Sequence, residues 1–225
     1  MATPQQLVPQ TQNIADVYAT DDVSAKSIAP ATQSRWKKLL SQFVQVYGKR
    51  PDFVARSPGR VNIIGEHIDY NLYDVLPTAV SVDVIIAVKV VPSEGSEATV
   101  RVANVNPDKF PSREFAVPFD KDVEIDSTKH EWVNYFKAGL VGALKFLREK
   151  NGLSFKPASV DVLLDGNVPP GGGISSSAAF VCASALAVMK ANNHDVSKQD
   201  LLDLAVVSER AVGVYSGGSV PVFAF

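Results

Sequence analysis

Val168-Pro169-Pro170-Gly171-Gly172-Gly173-Ile174-Ser175-Ser176-Ser177-Ala178-Ala179 is the stretch that decides how this chain folds. Before it, Ser159 to Leu164 reads as a strand running into Asp165-Gly166-Asn167. After it, the serines open a helix that carries the apolar run Ala178 to Met189. The order is strand, glycine loop, helix. Three successive glycines let a backbone approach a ligand without Cβ obstruction. A helix starting at once behind them offers free N–H groups and the positive end of its dipole, which together make an anion site. The serine hydroxyls add donors and a candidate Mg²⁺ ligand. No Lys-Ser/Thr pair follows the glycines, so this is not a Walker A loop. Ser176 occupies the third glycine position of the dinucleotide fingerprint, so it is not that motif either. A different nucleotide-binding loop is implied, and a serine-capped flexible turn is the competing reading.

Working outward, Trp36, Leu39, Leu40, Phe43, Val44 and Tyr47 recur at helical spacing and Gly48 follows as a stop, which predicts a helix over 33–47. Phe53 to Arg56 reads as a strand and Ser57-Pro58-Gly59-Arg60 as a turn. Ser81 to Val91 and Ala98 to Val105 read as β-rich runs separated by Pro92-Ser93-Glu94-Gly95. Between Glu131 and Lys150, Trp132, Val133, Phe136, Leu140, Ala143, Leu144 and Leu147 predict a long helix with one buried face. A last helix starts at Ser197, with Asp200 completing a capping box.

Ser57-Pro58-Gly59-Arg60-Val61-Asn62-Ile63-Ile64-Gly65-Glu66-His67-Ile68-Asp69-Tyr70-Asn71 packs four ionisable groups into one polar stretch between apolar residues. Carboxylates and an imidazole this close can bond the vicinal hydroxyls of a sugar, and an arginine can offset charge on a transferring phosphoryl group. A metal site at Glu66, His67 and Asp69 is the rival reading, although neither the H-E-x-x-H pattern nor a further His/Cys cluster accompanies them. A structural hydrogen-bond network is the third.

The run Pro58 to Tyr70 resembles the galactokinase signature nearly position for position, and Val168 to Ala179 resembles the phosphate loop of the wider GHMP small-molecule kinases. The two are about 110 residues apart, as in that family. The resemblance extends from about Trp36 to Gly218. It implies that Glu66, His67 and Asp69 hold galactose hydroxyls, and that Arg60 lies near the sugar O1 and the γ-phosphate as a transition-state stabiliser. It further implies that Gly171, Gly173, Ser175 and Ser176 wrap the phosphates of ATP, with Ser177 and Glu209 where the superfamily coordinates Mg²⁺. For Glu209 the competing reading is a solvated helix residue. The fold implied is α+β: the N-terminal domain of the GHMP kinase fold (ribosomal protein S5 domain 2-like), a mixed sheet with helices on one side. The division expected is a polar tail over 1–32, the sugar- and ATP-binding domain over 33–218, incomplete, and a tail over 219–225, with the C-terminal GHMP domain missing. The activity implied is ATP-dependent phosphorylation of D-galactose at the C1 hydroxyl.

The stretch after Gly218 departs from the family. Where galactokinases follow the glycine pair with Met-Asp-Gln, this chain reads Ser219-Val220-Pro221, so Val220 stands at the catalytic aspartate. Loss of a positioned base costs on the order of 10² to 10⁴ in rate. The absent base keeps a non-catalytic galactose- and ATP-binding regulator with a protein partner as one alternative, and a kinase for a related sugar such as N-acetylgalactosamine is a separate one. An end on Val-Phe-Ala-Phe leads to an expectation of marginal stability.

Composition favours small-molecule partners. The 225 residues are 46% hydrophobic with a formal net charge of −2, and no Lys/Arg run exceeds two residues, which disfavours nucleic acid and membrane surfaces as partners. The single cysteine, Cys182, lies in an apolar run and reads as a buried thiol in a reducing compartment. The N-terminus lacks the basic and apolar regions of a secretory signal, so the expected location is cytoplasmic.

Overall fold

The structure is a computed structural model that describes residues 6–18, 29–64, 76–93, 95–126, 128–129, 131–152 and 154–209. A short helix α1 (Ile14–Val17) and a long one, α2 (Pro30–Tyr47), precede three strands, β1 (Phe53–Ile64), β2 (Leu76–Val91) and β3 (Glu97–Asn104). Strand β4 (Arg113–Pro118), helix α3 (Val133–Asn151), strand β5 (Ser159–Gly166) and helices α4 (Ser176–Ala191) and α5 (Lys198–Glu209) follow. The five strands form one mixed sheet in the order β1-β2-β5-β3-β4, with β3 and β5 parallel and all other pairs antiparallel.

Strands β2 and β5 are buried on both faces over 83–88 and 159–164, which is why they read as near-continuous apolar runs, whereas β3 alternates buried and exposed residues. Side chains alternate across them. Val84, Ile86, Val88, Val160, Val162 and Leu164 point into the large core beneath α3, α4 and α5. Ile85, Ala87, Ala103 and Leu163 point the other way, onto Trp36, Leu39 and Phe43 of α2. Helices on one side thus describes α3 to α5, whereas α2 covers the opposite face. Leu39 and Phe43 have no exposed surface, and each such burial contributes about 1.5–3 kcal/mol. Helix α2 ends where Gly48 adopts φ 69° and donates its N–H to Val44 O at 2.8 Å, a left-handed stop that glycine takes without strain.

Two sequence expectations change. Ser57-Pro58-Gly59-Arg60 is not a turn; it lies inside β1, whose register against β2 shifts between Pro58 and Arg60. Proline is tolerated there because β1 is an edge strand. Strand β4, unmarked by the sequence, has one buried residue, Val117, among partly exposed neighbours. Ahead of α2, where the composition reads as a polar tail, residues 6–18 are bonded to the body: Val8 donates to Val196 O at 3.0 Å and Lys198 to Gln6 O at 2.8 Å. Of the expected capping box the N-cap half is present: Asp200 N donates to Ser197 Oγ at 3.0 Å, while the Asp200 carboxylate accepts from that hydroxyl at 2.7 Å.

Helix α4 runs through the core with Ala178, Ala179, Ala183, Ala185, Ala187 and Ala191 buried, together with Cys182. Its small side chains let α3 approach closely. A Cβ on Gly139 of α3 would lie 2.5 Å from Val181 O and 2.7 Å from Ser184 Cβ. Gly139→Ala is therefore expected to destabilise the chain by about 1–3 kcal/mol, despite the gain of about 1 kcal/mol in helix propensity. Urea denaturation of the variant checks this, and unchanged or increased stability would contradict it.

Candidate functional site

The sheet and α4 meet at the glycine loop. Gly171 and Gly173 have φ of 73° and 70°, and a Cβ at either would meet nothing within 4 Å, so backbone conformation alone demands glycine there. Ser175 also lies in the left-handed region, at φ 58° and ψ 50°, and its carbonyl accepts the N–H of Ala179 at 3.0 Å, closing the first turn of α4. A non-glycine residue held there costs about 1–2 kcal/mol, the kind of strain that gathers at ligand sites. Gly171 and Gly173 are exposed, and Ser175, Ser176 and Ser177 are half-buried at the head of the helix. The Ser175 side chain makes no capping bond. The first-turn N–H groups of a helix have no intrahelical acceptor, so the loop and the helix start together form a cradle suited to an anion.

The second predicted segment reaches this cradle through β1. Arg60 donates its main-chain N–H to Ile174 O at 3.0 Å, inside the loop. Gly59 allows that approach: a Cβ on it would lie 2.9 Å from Ile174 O, 3.0 Å from Val80 Cγ2 and 3.2 Å from Val168 Cγ1. Residues 110 or so apart in sequence are thereby joined at one end of the sheet. Glu66, His67 and Asp69 lie outside the described residues, as does Val220, and so does the side chain of Glu209, which ends α5. Among the described residues no group of three or more His, Cys, Asp or Glu gathers around one point.

A buried ionic cluster behind the site was not visible in the sequence. Asp83 of β2 has no exposed surface. Its carboxylate accepts from Arg35 Nη1, from Arg56 Nε at 2.5 Å and from Tyr18 Oη at 2.8 Å. Arg35 also reaches Asp165 at 2.8 Å, Trp36 Nε1 donates to Tyr18 Oη at 2.9 Å, and the Arg56 guanidinium lies 4.3 Å from the Tyr18 ring centroid. Burial raises the Tyr18 pKa; the indole hydrogen bond opposes this and the Asp83 carboxylate adds to it. The phenol therefore remains a donor at neutral pH. Burial alone would lower the Arg35 pKa, but Asp83 and Asp165 outweigh it and the value rises. The only early sign of this cluster is an aspartate inside an apolar strand, a residue type almost never fully buried unless paired.

Comparison with known proteins adds to this geometry. Residues 41–90 match the galactokinase galactose-binding signature and residues 134–225 match the N-terminal domain of GHMP kinases. A galactokinase of Schizosaccharomyces pombe is 45% identical over 212 residues, covering 91% of this chain and 40% of the relative. A galactokinase of Candida maltosa is 42% identical over 204 residues, covering 90% of this chain and 91% of the relative. The galactokinase of Lactococcus lactis, in a crystal structure with galactose, superposes with a TM-score of 0.67 at 26% identity, over 84% of this chain and 46% of that one. A mevalonate kinase of Methanococcus jannaschii, at 16% identity and a TM-score of 0.58, shares the fold. The chain spans about 40% of the length of the S. pombe relative and nearly all of the C. maltosa one. Among its described residues no helix is long and apolar enough to cross a membrane. On these matches and this fold, the chain belongs to the galactokinase family of GHMP kinases.

Proposed function

We propose that the chain binds galactose and ATP and serves phosphoryl transfer from ATP to the sugar C1 hydroxyl. The observation that carries this reading is the Arg60 to Ile174 hydrogen bond, which ties the sugar signature to the phosphate cradle. In this reading Glu66, His67 and Asp69 bond the galactose hydroxyls. Arg60 faces the sugar O1, where its charge offsets that of the transferring group. Gly171, Gly173, Ser175 and Ser176 hold the nucleotide phosphates through main-chain N–H groups and hydroxyls, at the positive end of α4.

The residues present also fit a divalent cation. A hydroxyl from Ser177 and a carboxylate from Glu209 are a donor set that leaves most positions to phosphate oxygens and water, as is usual for Mg²⁺ in kinases. That ion would neutralise phosphate charge. The lone buried Cys182 agrees with a reducing compartment, and we place the protein in the cytoplasm on that ground.

In transfer, the C1 oxygen forms a bond to the γ-phosphorus while the bond from that phosphorus to the β–γ bridging oxygen breaks, and the proton of the C1 hydroxyl must leave. Val220 offers no acceptor for it, so the proton passes to solvent or to the phosphate itself. The expected result is therefore binding of both ligands with slow turnover. Isothermal titration with galactose and with the ATP analogue AMPPNP, each in the presence of Mg²⁺, measures the first. A coupled assay of ADP release measures the second, with N-acetylgalactosamine as the comparison sugar. A chain that binds neither galactose nor AMPPNP would overturn the reading. Preferential binding of N-acetylgalactosamine would move it to that sugar.

A further inference from the structure

We propose that Asn167 is a positioning residue for the phosphate loop, fixing its entrance to β2 while Ile174 fixes its exit to β1. This rests on reading the loop as a nucleotide-phosphate cradle. Strand β5 leaves the ladder at Gly166, which pairs with Val84. At the next residue the Asn167 side chain replaces a strand partner: its Oδ1 accepts the Asp83 N–H at 2.7 Å, and its own N–H donates to Asp83 O at 3.1 Å. Only Val168 separates this clamp from Pro169-Pro170 and the glycines. At the other end Ile174 O accepts the Arg60 N–H at 3.0 Å. The backbone between these two points turns at Gly171 and Gly173, both at positive φ, with the Gly172 N–H donating to Pro169 O at 3.4 Å. The two clamps fix where that turn begins and ends.

The entrance clamp is rigid because Asp83 is rigid. The carboxylate of the same residue is held by Arg35, Arg56 and Tyr18, and Arg35 Nη2 donates to Asp83 O and to Asp165 O, each at 3.1 Å. Asn167 itself is exposed, so its replacement does not open the core. An alanine there keeps the main-chain bond and removes the acceptor of the Asp83 N–H.

The test compares the parent chain with N167A and N167D. For N167A the AMPPNP Kd in the presence of Mg²⁺ is expected to rise about 5- to 10-fold, while the galactose Kd stays within about 2-fold. Amide hydrogen exchange by NMR is expected to quicken at Asp83 and across the 168–177 amides, and not elsewhere. N167D retains an acceptor oxygen and is expected to restore slow exchange at Asp83. Unchanged AMPPNP affinity and unchanged Asp83 exchange in N167A would overturn the proposal. So would equal weakening of both ligands with faster exchange throughout the chain, the signature of a merely structural loss. If the parent binds neither ligand, the kinase reading fails. The exchange pattern still decides the clamp: local and reversed by N167D in its favour, absent or general against it.

Discussion

Asp83→Ala is expected to lower folding stability by about 3–5 kcal/mol, the usual cost of removing one partner from a buried ion pair. The carboxylate it deletes is wholly buried and serves three donors, while the two arginine side chains are only 15% exposed. Arg35 keeps Asp165 at 2.8 Å, but among the described residues Arg56 keeps only Val17 O at 3.3 Å and the Tyr18 ring. An uncompensated cation then sits against the apolar face beneath α2. Tyr18→Phe removes a single neutral donor from the same carboxylate and the acceptor of the Trp36 indole N–H, and is expected to cost about 2 kcal/mol. Urea denaturation of the two variants beside the parent separates the effects. Should Asp83→Ala cost no more than Tyr18→Phe, the cluster does not carry the burden assigned to it. Because three elements share this carboxylate, the loss is also expected to loosen the hold on residues 6–18.

On the proposed function, Gly59→Ala is expected to reduce phosphoryl transfer about 10²-fold, the scale of an error of about 1 Å in placing reacting groups. Its Cβ would press on Ile174 O at 2.9 Å, and the neighbouring Val80 and Val168 contacts leave no free side on which to relax. The loop must move away from β1, which lengthens the Arg60 to Ile174 bond. Sugar and phosphate sites would each survive while their separation changes, so galactose and AMPPNP binding should weaken far less than turnover. Parallel titration and ADP-release measurements distinguish this from general misfolding. Turnover equal to that of the parent would show that the approach of β1 to the loop is not what aligns the two ligands.

The glycine loop and the helix behind it were legible because local chemistry writes them. Glycines followed by serines and an alanine-rich apolar run can only be a loop opening a helix, and α4 begins at Ser176 as that pattern requires. The galactokinase resemblance was legible for the same reason, and the family comparisons bear it out. What escaped was set by tertiary contact. Pro58-Gly59 reads as a turn by its dipeptide, yet Gly59 is needed inside a strand because another backbone passes 2.9 Å from where its Cβ would be. Strand β4 shows too little alternation, since the sheet edge leaves most of it half wet. Asp83, Arg35 and Asp165 come from positions up to 130 residues apart, and no local period could associate them.

The bridge between Leu7 and Ser197 joins positions 190 residues apart. During synthesis at about 5–20 residues per second, the first of these leaves the ribosome about 10–40 s before the second exists to receive it. The N-terminal segment must therefore wait while the sheet and α3 assemble, and it can lock only when α4 and the head of α5 have emerged. Its docking is a late, long-range event of the kind that slows folding, and it marks the moment at which the helix carrying the anion cradle is in place.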